Sequence, residues 1–141
     1  MTLYDIAAST KVTNINSLIG AAGSIEFYTS GGYPTTGLMG TTALNLSNPA
    51  MNGTTSDATN YTGTFAAIAT ATMAAAGTQT VSIFALWNTN DAASRTAART
   101  GTNVVLTGSV GTNAGDITFN TNVWSEGDNI QISSLTFVQP K

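Results

Sequence analysis

The chain contains neither cysteine nor histidine, and only 8% of its residues are charged. Without cysteine there are no disulfides, no thiolate metal sites and no thiol nucleophile. Without histidine the chain lacks the side chain most used for proton transfer near neutral pH, which is also the commonest transition-metal ligand. Four Lys and Arg residues against seven Asp and Glu leave a net charge of −3. A nucleic-acid partner requires a basic footprint that releases counterions, and this composition supplies none. Anionic membrane surfaces are disfavoured for the same reason. Long apolar runs are missing too. The longest, residues 65–76, is interrupted by Thr70 and Thr72 and falls short of the roughly 20 residues that cross a bilayer. Residues 1–8 carry Asp5 and no cationic stretch followed by an apolar one, so no leader peptide is expected there.

What the chain does hold is threonine and alanine, with asparagine and glycine close behind. Hydrophobic residues make up 42% of its 141 positions. That argues against disorder, which combines low hydrophobicity with high net charge. A chain of this length buries about two-thirds of its unfolded surface, enough for one core without covalent staples. Branched threonine side chains suit a pleated surface. A surface with so little charge also suits a protein that lives assembled, because net charge is what keeps free monomers apart.

Helical periodicity occurs only near the start, where Val12, Ile15, Leu18 and Ile19 share one face and Gly20 and Gly23 follow as stop signals. Residues 1–22 are accordingly read as an N-terminal helical arm, which either closes one end of the domain or docks on a neighbouring subunit. Residues 23–141 are read as a β-domain. Alternation predicts strands over 24–29, with Ile25 and Phe27 opposite Glu26 and Tyr28, and over 44–46. Further strands are predicted over 61–75, 81–87, 103–110, 117–123 and 130–137. In the 81–87 segment both faces are apolar, which marks it as buried on two sides, with Trp87 in the core. In the 117–123 segment Ile117, Phe119, Thr121 and Val123 are in phase, and Trp124, just before a turn, is placed at the surface. Ser125-Glu126-Gly127-Asp128 has the composition of a hairpin turn. About eight short strands separated by turn signals predict an all-β fold, a β-sandwich or jelly roll with a short N-terminal helix.

Candidate chemistry is sparse. A serine or threonine nucleophile would have no histidine base and only Lys11 and Lys141 as lysine alternatives. No glycine-rich phosphate loop precedes a helix; Gly108-Ser109-Val110-Gly111 joins two strands. Asp116, Glu126 and Asp128 flank two late turns. Three readings are open for them: a catalytic carboxylate pair, a calcium site of hard oxygen ligands, or separate turn residues each bonded to its own backbone. The last is preferred, so no catalytic, cofactor-binding or metal residue is assigned. Aromatic residues offer a sugar platform from Tyr28, Tyr33, Tyr61, Trp87 and Trp124, or a subunit contact. Tyr33, Trp124, Arg95 and Arg99 are the interface candidates, Arg95 and Arg99 lying in a polar loop over 88–102.

Several stretches taken in order resemble a family of small tailed-bacteriophage virion proteins. They are Ile25-Glu26-Phe27-Tyr28-Thr29, Leu44-Asn45-Leu46-Ser47-Asn48-Pro49-Ala50, Gly108-Ser109-Val110-Gly111-Thr112, Asp116-Ile117-Thr118-Phe119-Asn120-Thr121 and the run from Gly127 to Phe137. The resemblance covers most of the chain from about residue 18, and its motifs are strand and turn residues. It implies a virion component made in the host cytoplasm, either a capsid decoration (cement) protein or a fibre-like protein. The expected partner is the major capsid protein or another virion protein, and the expected assembly is a homo-oligomer, a trimer. The alternative is a carbohydrate-binding module of a head or tail fibre. The family pattern offers no catalytic residue, and its link after the Trp87 strand is shorter than residues 88–102.

Overall fold

A computed structural model describes residues 14–15, 17–19, 23–31, 44–45, 51–56, 59–65, 70–88, 104–132 and 135–140. The protein is mostly β, with a short helix whose described residues are 14–15 and 17–19. Twelve strands are present among the described residues: β1 Ser24–Tyr28, β2 Leu44–Asn45, β3 Met51–Ser56, β4 Asn60–Phe65, β5 Ala71–Thr72, β6 Thr78–Thr80, β7 Ile83–Trp87, β8 Val104–Gly111, β9 Ile117–Thr118, β10 Val123–Ser125, β11 Asn129–Ile130 and β12 Thr136–Pro140. The excess over the expected eight arises in two ways: predicted strands such as 61–75 are broken into pieces, and β3 and β6 form where no strand was expected, β3 in a polar stretch (51–60) that reads as an exposed loop.

One sheet has the order β2-β1-β7-β8-β9. Strands β1 and β7 lie at its centre, and alternation sends their side chains to two covered faces. Ile25, Phe27, Phe84 and Leu86 enter the main core, whereas Tyr28, Ala85 and Trp87 form a second buried cluster. The 83–87 segment thus behaves as its two-sided apolar pattern predicts, whereas β1 is buried on both faces although Ser24 and Glu26 are polar.

The remaining strands form a long antiparallel ribbon. Its three ladders pair β4 with β12, β5 with β11 and β6 with β10, and β3 adds to the outside of β4. The predicted hairpin at residues 125–128 is therefore corrected: β10 and β11 pair with β6 and β5, not with each other. Both arms of the ribbon turn at the same place. The Glu126 N–H bonds the Gly77 carbonyl, and the Gly127 N–H bonds the Met73 carbonyl. Two local turns thus replace a single hairpin, and each supplies the other's missing backbone partners.

Sheet and ribbon meet in one core. Phe65, Met73, Val81, Trp124, Ile130, Ile132 and Leu135 contact the cluster that contains Phe27, Phe84 and Leu86. Ile15 and Ile19 of the helical stretch also reach this cluster, but Leu18 is exposed. Of the three apolar positions expected on one helix face there, two are used. The rest of the predicted arm lies outside the described residues.

Strand β9 is the unusual element. It runs parallel to the end of β8, pairing Ile117 with Val110 and Thr118 with Gly111, after a connection of only residues 112–116. Parallel neighbours ordinarily need a crossover of a dozen or more residues. Here the short loop closes on itself because Gly115 has φ +136°, a conformation side chains disfavour. Gly111 permits the closest approach: a Cβ there would sit 2.0 Å from the Ala114 carbonyl oxygen.

Candidate functional site

Asp116 is the residue around which the loop is tied. Its Oδ2 accepts the Ser109 N–H and the Ser109 hydroxyl, each at 2.8 Å. In return the Asp116 N–H bonds the Ser109 carbonyl at 3.1 Å. The carboxylate thus occupies the ladder position that a neighbouring strand would take beside Ser109. The Ser109 backbone N–H, with the hydroxyl adding to it, holds the Asp116 carboxyl below its ordinary range. Because the folded group is the more acidic, its contribution to stability is present above the unfolded pKa of 3.8 and is lost as pH falls through the folded value. The stability difference between the protein and Asp116→Asn is therefore expected to be full near neutrality and to shrink below about pH 4. Melting curves at stepped pH check this, and a difference that grows with acid would contradict it.

The other two acidic residues do not join Asp116. Asp128 Oδ2 accepts the Ser125 N–H at 2.7 Å, and the Asp128 N–H bonds the Ser125 carbonyl, so this carboxylate closes its own turn. Glu126 lies at the tip of that turn and is exposed. Among the described residues no three acidic side chains gather where one cation could sit. Asp128 acts as a turn residue bonded to its own turn, whereas Asp116 reaches back to Ser109 in β8.

Trp124 requires a correction. It was expected at the surface, but it is 3% exposed and packs edge-on against Phe27 and Phe119, with ring centroids at 5.1 Å in both pairs. The cause is a break in the strand predicted over 117–123. Asn122 leaves the ladder, its side-chain amide donating to the Val81 carbonyl while its own carbonyl accepts the Val81 N–H. One residue is thereby lost from the alternation, which turns every later side chain to the opposite face. Val123, expected inside, is 47% exposed, and Trp124 takes the inner position.

Tyr28 and Trp87 are also buried, so three of the five aromatic residues considered for a sugar platform are inside the fold. The Tyr28 hydroxyl donates to Glu26 Oε2 at 2.5 Å in the second buried cluster. Tyr33, Arg95 and Arg99 lie outside the described residues.

A feature that periodicity did not reveal is an open cleft between sheet and ribbon. It has a volume of about 350 Å³ and an apolar floor of Phe65, Phe84, Leu86, Leu106, Leu135 and Phe137. Thr107, Asp116, Thr136 and Val138 form its rim. The cleft exists because the two strands flanking it are both edges. Among the described residues, strand β12 pairs only with β4, and β9 covers β8 only at Val110 and Gly111. Sequence could have pointed here through Leu106, Leu135 and Phe137, but their joint position depends on which strands are left unpaired.

Chemically the cleft can bind: among the described residues one carboxylate, Asp116, stands at its rim, and apolar walls favour groups that leave water. No protein-family model, no characterised protein and no solved structure matches the chain.

Proposed function

We propose that the chain is a structural protein of a tailed-phage particle, a capsid decoration protein with a β-sandwich or jelly-roll fold that binds the head as a homo-oligomer. The single observation that carries this reading is the resemblance of its strand and turn segments to such proteins. Three of those segments can be placed in the fold. Gly108–Thr112 and Asp116–Thr121 contain the Ser109–Asp116 clamp, and Phe137 belongs to the floor of the cleft. The sparse charge agrees, since a surface with few ionic groups associates at low electrostatic cost.

A decoration protein acts by mass action. Binding only the assembled shell, it shifts the equilibrium towards that shell in proportion to its occupancy. No proton transfer or metal chemistry is needed, which suits the catalytic poverty of the chain. The burial of Tyr28, Trp87 and Trp124 takes three aromatic rings away from the carbohydrate-binding alternative and favours the decoration reading over it.

Quantitative mass spectrometry of purified particles whose genome encodes the chain tests the proposal. Hundreds of copies per particle are expected. A handful of copies would move the protein to a tail or fibre, and absence from the particle would end the virion reading.

A further inference from the structure

We infer that the cleft receives an extended strand from a partner chain, hydrogen-bonded to the free edge of β8. The inference goes beyond the particle assignment and does not depend on it. It starts from the ladder. The Val110 N–H points across to the Ser82 carbonyl beside β7, and the Ser109 N–H points the other way, to Asp116. Alternation therefore puts the N–H and C=O of Thr107 on the same outer side as those of Ser109. Among the described residues no strand pairs with β8 there, because β9 reaches only Val110 and Gly111. Edges of this kind are templates for another strand unless something blunts them. Asp116 blunts the edge at Ser109 and leaves it open at Thr107.

The cleft supplies the second half of such a site. A strand added along β8 would lie beside Leu106 and above Phe84, and every second side chain would descend towards Leu135 and Phe137. Main-chain bonds would then give affinity and the apolar floor would give selectivity for small or medium apolar residues. Val138, 48% exposed on the facing rim, would be covered in the same step.

Charge fixes the remaining property of the partner. Asp116 is the only charged residue among the described residues that line the cleft, and the Ser109 bonds converge on Oδ2, leaving Oδ1 for a further donor. A lysine or arginine at the end of the incoming strand meets that requirement. The partner is thus an extended segment that alternates apolar with small polar residues and carries a cation at one end.

A panel of ten-residue peptides tests this, alternating Thr with Val, Leu or Phe and carrying Lys at either end. Binding to the full chain is followed by fluorescence anisotropy at low salt. At least one peptide is expected to bind with a micromolar Kd. Exchanging its Lys for Glu should weaken binding several-fold, and methylating alternate backbone nitrogens should abolish it. Thr107→Pro, which removes the outward N–H, should abolish binding while Thr107→Ala retains it. If Thr107→Pro does not fold, the methylated peptides decide alone. Equal binding of methylated and unmethylated peptides would show a plain apolar pocket and overturn the inference. So would the absence of binding by every peptide up to millimolar concentration. Indifference to the Lys to Glu exchange would overturn the part assigned to Asp116.

Discussion

Trp124→Ala is expected to lower the unfolding free energy by about 3–5 kcal/mol, read from urea titration with the slope unchanged. The residue is buried between sheet and ribbon, so truncation leaves a cavity where neither layer can easily collapse. It also removes two edge-on contacts, with Phe27 at 77° and Phe119 at 90°. Such pairs contribute about 0.5–1.5 kcal/mol each beyond their buried area. A milder substitution separates packing from hydrogen bonding. The Trp124 indole N–H donates to the Thr121 carbonyl, whereas the Trp87 indole N–H is buried with no partner among the described residues. Trp87→Phe removes an unsatisfied donor, and Trp124→Phe takes away a bond and strands an acceptor. The Phe substitution is therefore expected to cost less at Trp87 than at Trp124, although Trp87 is the more deeply buried. The opposite order would mean that the Trp87 donor is satisfied in solution.

Gly111→Ala is expected to destabilise the protein by about 1–3 kcal/mol, as overpacking does where neighbours cannot retreat. Its new methyl would fall on the backbone oxygen of Ala114, in a loop whose path is already set by Gly115. The loop must open, and the bond from the Phe119 N–H to the Gly111 carbonyl opens with it. Hydrogen exchange should accordingly show lost protection at Phe119 and Asp116, with β1 and β7 unaffected. Gly31→Ala is the control, because nothing lies within 4 Å of a Cβ at that position. If both substitutions cost the same, close approach at Gly111 is not what holds β9 in place.

The parts of the fold legible in sequence are those decided by local alternation. Ser24–Tyr28 and Ile83–Trp87 pair in register along their whole length, and their apolar positions are buried as their pattern requires, Ile83 by half. What was not legible depends on contacts between distant segments. The register break at Asn122 exists because its side chain reaches Val81, and nothing near residue 122 announces that bond. The turn at Ser125–Asp128 has hairpin composition, yet Gly77 and Met73 claim its backbone donors. The parallel pairing of β8 and β9 contradicts the ordinary length rule and is made possible by two glycines. The candidate site shows the same division. Asp116 was marked as a turn residue, but its partner Ser109 and the open edge beside it follow only from sheet order.

The ribbon has a kinetic meaning. Its innermost ladder joins Thr80 to Val123, and the chain between them closes a loop of about forty residues. Once that loop has closed, the ladders at Thr72–Asn129 and Thr64–Thr136 follow by zipping, each adding only a small further loss of chain entropy. The conformational search is thus concentrated in one event at one end of the ribbon. Substitutions beside it, at Gln79 or Trp124, should slow folding, whereas those at the Asn60–Pro140 end should chiefly hasten unfolding.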